Sequence, residues 1–354
     1  MMPIVIRKDD VSILNHCSKY LARDAADPVH NFGQFPPDDV RGRVAEAWRF
    51  PIIDSYSDGV DFERSYASNE VTFVYADPEG GAPAANVAVV GTFAPLHAPI
   101  PLRPLGNTPW HTVTVVVPKG EVHMYKFMVD GQSRLDPINP QRVMLDDGKT
   151  WSRFFTQLCT VPITFERWEM ALLARITSHI LPFETKEGRN FLARFYDSLD
   201  RRSKDTQFAH AYRLDQPVGV VNFIDKLLAR EEGHHLVDYR TCLAEIDRIL
   251  RRRNPYLEPV IMPVEMYRDL YDEMSRDQVD GWDRGRYESP RYFLQLLRRH
   301  TFTGAFSHPK YGGNAGASGW AFLEERYRDE EGHSLFQWRR IVERPLGENA
   351  EYHG

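Results

Sequence analysis

His234 and His235 stand side by side after Glu231-Glu232-Gly233, and imidazoles are frequent ligands of transition metals. Neighbouring residues of an α-helix diverge by about 100°, because 3.6 residues complete a turn. That is poor geometry for one ion, so the pair reads as a solvated loop-to-helix junction and no metal is expected. His123 alternates with strand residues and reads as a sheet-surface side chain. Glu324-Glu325 and Glu330-Glu331 are paired carboxylates. General acid–base work needs carboxylates whose surroundings drive their pKa values apart, and adjacent acids in a charged run read as solvated. No Gly-x-Gly-x-x-Gly opens a strand–helix unit, and neither a GxxxxGK[ST] phosphate loop nor a GxSxG elbow occurs. The chain is therefore expected to hold no cofactor and not to be catalytic alone.

Two stretches stand out for recognition. HTFTGAFSHPKYGGNAGASGWAFL (300–323) carries glycines at 304, 312, 313, 316 and 319 among Phe302, Phe306, Tyr311 and Trp320. Such density implies positive φ angles or close backbone approach to something. Two readings stand side by side: a recognition loop on a scaffold, or an internally packed Ω-like loop. The second stretch is WHTVTVVVPKGEVHMYKFMVDGQSRLDPINP (110–140). Tyr125 and Phe127 share a strand face there and Lys126 points the other way. A lysine beside exposed aromatics would suit sugar hydroxyls, but the favoured reading is a lysine on the wet face of an antiparallel sheet.

The elements that must position these residues fall into two grammars. EVTFVY (70–75), NVAVVGTF (86–93), HTVTVVV (111–117), VHMYKFMV (122–129) and RFFTQL (153–158) read as strands separated by DPEGGAP (77–83), PLGNTP (104–109), PKG (118–120) and VDG (129–131). Thr112 and Thr114 alternate with valines as in a half-buried strand. The fold expected over 66–160 is an immunoglobulin-like antiparallel β-sandwich. After about 164 the period becomes helical. Trp168, Leu172, Ile176 and Ile180 recur every four residues before Pro182, and Phe191, Leu192, Phe195 and Leu199 mark a second helix. Further helices carry Val220–Leu228 and Leu236–Leu250, with two more around Val264–Met274 and Arg291–Arg299. The expected class is α+β multidomain: an N-terminal arm (1–65), the sandwich (66–160), an all-α domain (161–328) and a C-terminal tail (329–354). The arm, with DPVHNFGQFPPDD (27–39), a short helix in RGRVAEAWRF (41–50) and aromatics such as Phe32, Phe35 and Trp48, is expected to pack on another surface.

Composition closes off several functions. Of 354 residues, 42% are hydrophobic and 27% charged, which excludes a wholly disordered protein. Forty-four basic against 50 acidic residues leave a net charge of −6, so no nucleic-acid partner is expected. No apolar run approaches the ~20 residues that cross a bilayer. Cys17, Cys159 and Cys242 lie far apart and read as reduced thiols. The sequence as written carries no export address, so a cytoplasmic location is expected, with co-export to the periplasm on a partner's signal, or after removal of a leader, as the alternative.

The segment HTFTGAFSHPKYGGNAGASGW, with LLARITSHILP (172–182), VVNFIDKLLAR (220–230) and DYRTCLAEIDRIL (238–250) before it, resembles the gluconate 2-dehydrogenase subunit 3 family over about 160–325. The stretch between Pro182 and Val220 is longer than usual for that family. VAVVGTF (87–93), Trp110, PKGEVHMYKFMVDG (118–131) and Asp136-Pro137 resemble family 48 carbohydrate-binding modules. Ala94-Pro95-Leu96 stand where a stacking tryptophan would be expected, Trp110 matches a structural position and Lys126 a binding lysine. The module is therefore expected to be a scaffold, with Lys126 its one sugar-binding candidate.

The first resemblance implies the non-catalytic small subunit of an FAD-dependent sugar, polyol or glycoside dehydrogenase of the glucose–methanol–choline type. FAD is then expected in a flavoprotein large subunit, which this chain stabilises or matures within a hetero-oligomer, with a place at the border of that subunit's active site as a further expectation. The residues expected to face that partner are Phe302, Gly304, Phe306, His308, Lys310, Tyr311, Gly312, Gly313, Asn314, Gly319 and Trp320. The alternative is a free-standing carbohydrate-binding or targeting protein that uses the sandwich.

Overall fold

Alternating apolar residues before residue 160 build two antiparallel sheets in the computed structural model, which describes residues 3–21, 46–57, 59–60, 62–76, 86–198 and 218–336. The chain divides into two units, 1–159 and 160–354.

In the first unit, strands β1 (Val5–Ile6), β2 (Ile52–Ser55), β3 (Ser68–Tyr75), β6 (Arg103–Pro104) and β7 (His111–Pro118) form one sheet in the order β1-β7-β3-β2, with β6 also on β7. Strands β4 (Val87–Gly91), β5 (Ile100–Pro101), β8 (Val122–Val129), β9 (Gln132–Arg134), β10 (Arg142–Met144) and β11 (Thr150–Phe155) form the other, in the order β10-β11-β8-β4-β5 with β9 on β8. Every pairing is antiparallel, and β3 meets β7 along its full length from Ser68↔Pro118 to Tyr75↔His111. Val71, Phe73, Val113 and Val115 of the first sheet share one core with Val89, Tyr125, Phe127 and Phe154 of the second. The Phe73 ring meets Tyr125 edge-on at 5.0 Å and Phe154 at 5.7 Å, a favoured aromatic geometry.

The other face of the first sheet is also covered. Helix α1 (Asp10–Tyr20), capped by the Asp9 carboxylate accepting from the Ser12 N–H, packs Ile13 and Cys17 with Phe50, Ile52, Val74 and Leu105. Thr112 and Thr114 are consequently buried, not half-exposed. Thr114 shares a 2.9 Å hydroxyl contact with Thr72, and Thr112 donates to the Phe73 carbonyl. Two segments expected as an arm thus enter the first sheet as β1 and β2; 27–39 and the first half of RGRVAEAWRF fall outside the described residues, and its second half makes a 3-10 turn at Ala47–Arg49.

His123 departs from the sequence reading. It shares the inward face with Tyr125 and Phe127, is 3% exposed, and places Nδ1 3.2 Å from the Thr92 hydroxyl. Burial holds its imidazole down at about 4, since a charged ring would lose its hydration. Asp136 is buried as well. It accepts from the Tyr125 hydroxyl at 2.6 Å and from the Ile138 and Asn139 N–H groups, so the Asp136-Pro137 turn is tied to the middle of β8.

A short helix, α2 (Phe62–Ala67), leads into β3 in the first unit. The second unit is helical: α3 (Arg167–Thr177), α4 (Lys186–Ser198), α5 (Val220–Leu228), α6 (Leu236–Arg253), α7 (Val264–Ser275), α8 (Pro290–Phe306) and α9 (Ser318–Arg326). Leu172, Leu173 and Ile176 of α3 are buried, whereas Trp168 is 44% exposed and α3 ends at Thr177, ahead of Pro182. Their core partners are Leu243, Ile246 and Leu250 of α6 and Phe293 and Leu297 of α8. Leu199 and the tail beyond 336 lie outside the described residues. Cys17, Cys159 and Cys242 are buried thiols outside any disulfide. Among the described residues no helix is long and apolar enough to cross a membrane.

Candidate functional site

The glycine-rich stretch begins inside a helix. HTFTGAF, expected as loop, is the last part of α8, whose start is fixed by Pro290 and by Ser289 Oγ accepting from the Tyr292 N–H. Gly304 is tolerated there because Phe223 of α5 lies against it; an added Cβ would come within 2.9 Å of that ring. The chain then leaves the helix at Ser307, makes a 3-10 turn over Pro309–Tyr311 capped by His308, and reverses at Gly312 with φ +97°.

What Gly313 and Gly319 approach is the chain's own backbone. A Cβ on Gly313 would stand 2.2 Å from the Gly304 carbonyl oxygen, and one on Gly319 would stand 1.9 Å from that of Ala305. Asn314, fully buried and in the left-handed region at φ 45°, fixes both ends of the loop. Its amide donates to the Ser307 carbonyl at 2.8 Å, and its side-chain oxygen accepts from the Gly319 N–H at 2.8 Å. The Trp320 indole donates to the Phe306 carbonyl, and Asn222 of α5 donates to the Gly312 carbonyl at 2.9 Å. The internally packed reading describes this backbone.

The residues expected to face a partner therefore divide. Gly304, Gly313, Asn314, Gly319 and Trp320 are buried within this chain, Gly312 is half-buried, and they hold the loop in shape. Phe302, His308, Lys310 and Tyr311 are exposed. Phe306 is half-buried and stacks on Phe302 with centroids 6.3 Å apart. His308 meets Tyr311 edge-on at 6.5 Å, and Lys310 Nζ lies 5.1 Å from the Tyr311 ring centre. The outer face is aromatic and carries a cation.

The base under this loop contains polar residues that the sequence reading passed over. Asn222, Asp225 and Lys226 are all buried in α5, at 1%, 0% and 2% exposure. Asp225 accepts from the Ile163, Thr164 and Phe165 N–H groups at 2.8 to 3.1 Å and from the Thr164 hydroxyl at 2.8 Å. Lys226 Nζ lies 2.9 Å from the Asp225 carboxylate and donates to the Val161 carbonyl at 2.6 Å. Burial opposes ionisation of Asp225, but Lys226 and the Thr164 donors outweigh it and hold the carboxyl below its usual value. The available signal was spacing: three polar residues at i, i+3 and i+4 on an otherwise apolar helix share one face.

In the first unit, Lys126 lies on the face of β8 opposite Tyr125 and Phe127, as alternation requires, but those two rings are fully buried and offer it no platform. Its aromatic neighbour is Trp151 of β11, 4.9 Å from Nζ to the ring centre, with His97 5.7 Å from the same ring. Leu96, in the stretch where a tryptophan was missed, is fully exposed.

Residues 168–324 match the family described as Gluconate 2-dehydrogenase subunit 3, and residues 78–150 match the glycogen recognition site of AMP-activated protein kinase. No curated protein matches the chain. Among solved structures, ferric enterobactin esterase from Salmonella typhimurium is 17% identical over 30% of this chain and 35% of that one, with a TM-score of 0.24. Enterochelin esterase from Shigella flexneri is 21% identical over 25% of this chain and 30% of that one, with a TM-score of 0.23. The chain thus spans about a third of the length of these esterases, and so slight a superposition carries no argument. The helical segment at 168–324 resembles gluconate 2-dehydrogenase subunit 3, and the stretch at 78–150 before it resembles the glycogen recognition site of AMP-activated protein kinase.

Proposed function

We propose that this chain is the non-catalytic small subunit of an FAD-dependent sugar, polyol or glycoside dehydrogenase of the glucose–methanol–choline type, stabilising or maturing the flavoprotein large subunit. The observation that carries this reading is the family match over 168–324. It is supported by a loop whose backbone is locked from within and whose outer face offers Phe302, His308, Lys310 and Tyr311. Interface energy concentrates in a few aromatic and cationic anchors, and a preformed loop loses little freedom on docking. FAD and the base for hydride abstraction belong to the partner on this reading. The complex resides in the cytoplasm, or in the periplasm by co-export.

The test is a pull-down of the tagged chain from its native cells, with an absorbance spectrum of the eluate. A larger chain carrying flavin that sugar bleaches is expected. The double change Phe302→Ala, Tyr311→Ala is expected to lower its affinity at least about tenfold, the equivalent of 1.4 kcal/mol. A colourless chain eluting alone after gentle lysis would count against the subunit reading.

A second reading rests on Trp151. Beside Lys126 it supplies a ring of the kind that stacks on a sugar, and the match over 78–150 is to a glycogen recognition site. Migration in a native gel containing soluble glucan is expected to slow for the parent and to return to normal in Trp151→Ala. A parent that runs unretarded removes this reading and leaves the sheets as scaffold.

A further inference from the structure

Neighbouring side chains in the 3-10 turn Gly233–His235, at the entry to α6, diverge by about 120°, but side-chain rotation at His234 and His235 draws the two rings back together. Their ring centroids are 4.1 Å apart. The same turn carries Glu232, and one ligand atom from each of Glu232, His234 and His235 falls within 4.8 Å of the others. We propose that these three side chains form a binding site for a divalent transition-metal ion of the zinc type.

Glu232 Oε2 and His235 Nε2 are 3.9 Å apart, too far for a hydrogen bond. Two ligands each about 2.0–2.2 Å from a tetrahedral ion stand roughly 3.4 Å apart, so a small side-chain rotation brings both onto one centre. Supporting contacts already aim the ligands. Asp238 Oδ2 lies 2.8 Å from His235 Nδ1, which fixes the ring so that Nε2 faces the ion, the carboxylate–histidine arrangement common behind metal ligands. On the other side His300, 1% exposed, sets Nε2 2.8 Å from Glu232 Oε2 while its Nδ1 meets the Tyr239 hydroxyl at 2.8 Å. Glu232 is thereby held from beneath.

Arg299 also donates to Glu232 Oε2 at 2.5 Å and competes with an incoming cation. Its side chain is 57% exposed, so it can turn into solvent when the ion binds. Two imidazoles and one carboxylate suit zinc, copper or nickel better than magnesium or calcium, which prefer all-oxygen shells. His234 is exposed, so a fourth position opens to water. A second group, Asp329, Glu331 and His333, meets the same distance condition, but Glu331 and His333 are exposed. It serves as the control.

The experiment titrates the full chain, stripped with chelator and desalted, with zinc chloride in a calorimeter. One ion per chain is expected. His234→Ala and His235→Ala are each expected to weaken binding more than about tenfold, and Asp238→Asn, which only positions His235, by about tenfold. His333→Ala is expected to bind as the parent does. Thermal melts of the metal-free variants separate loss of ligand from loss of fold, since only the former leaves the melting temperature unchanged. A parent that takes up no stoichiometric zinc, or binding that survives both histidine changes, overturns the assignment.

Discussion

Asp225→Ala is expected to destabilise the helical unit by about 3–5 kcal/mol, the usual result of removing one partner from a buried ion pair. The carboxylate answers N–H groups at 163, 164 and 165 and neutralises Lys226, which is itself 2% exposed. Removing it takes the Asp225 charge away from a buried ammonium and frees three backbone donors at the entry to α3. Urea unfolding followed by tryptophan fluorescence measures the loss. Lys226→Met placed on top of Asp225→Asn is expected to recover part of it, because no unpaired charge is then buried. A loss below about 1 kcal/mol for Asp225→Ala would mean that solvent reaches the pair.

Gly319→Ala is expected to cost about 3 kcal/mol, the upper end of ordinary overpacking. The new methyl carbon would lie 1.9 Å from the Ala305 carbonyl oxygen, and backbone, not a flexible side chain, would have to give way. The adjustment would separate α9 from α8 and disturb the Asn314 contact to the Gly319 N–H. Gly332 is the matched comparison. Its φ of +82° strains any replacement, but nothing lies within 4 Å of the added carbon. Gly332→Ala is therefore expected to cost only about 1 kcal/mol, the left-handed penalty alone. Equal effects of the two changes in urea unfolding would mean that crowding at Gly319 is relieved locally. On the docking proposal, Gly319→Ala also lowers recovery of the flavoprotein while touching no exposed anchor.

Legibility in the sequence followed the distance over which each element is decided. Strand β8 at 122–129 and helix α5 at 220–228 are written in their own periodicity and appear where it placed them. Strands β1 and β2, of two and four residues, exist because β7 and β3 offer them edges, and so short a run carries no period of its own. The end of α8 read as loop because Gly304 weakens local helix propensity, while the Phe223 ring that wants a glycine there is about eighty residues away. His123 departs from its sequence reading for another reason. The alternation that turns Tyr125 inward also turns His123 inward, although its polarity by itself points to the surface. Trp151 was invisible as a neighbour of Lys126 until the pairing of Ser152 with Tyr125 fixed the register.

Helix α5 ties together distant parts of the chain. Through Asp225 it holds residues 163–165, some sixty positions earlier, and through Asn222 it holds Gly312, ninety positions later. These are non-local contacts of a kind that simple helical bundles avoid, and folding slows as contact order rises. On a ribosome adding roughly 5–20 residues per second, the segment at 161–165 waits several seconds for α5. The Gly312 turn arrives several seconds later still. For that interval the helical unit exposes apolar faces that nothing in the chain yet covers, which makes synthesis, more than the finished fold, its time of greatest need for a chaperone.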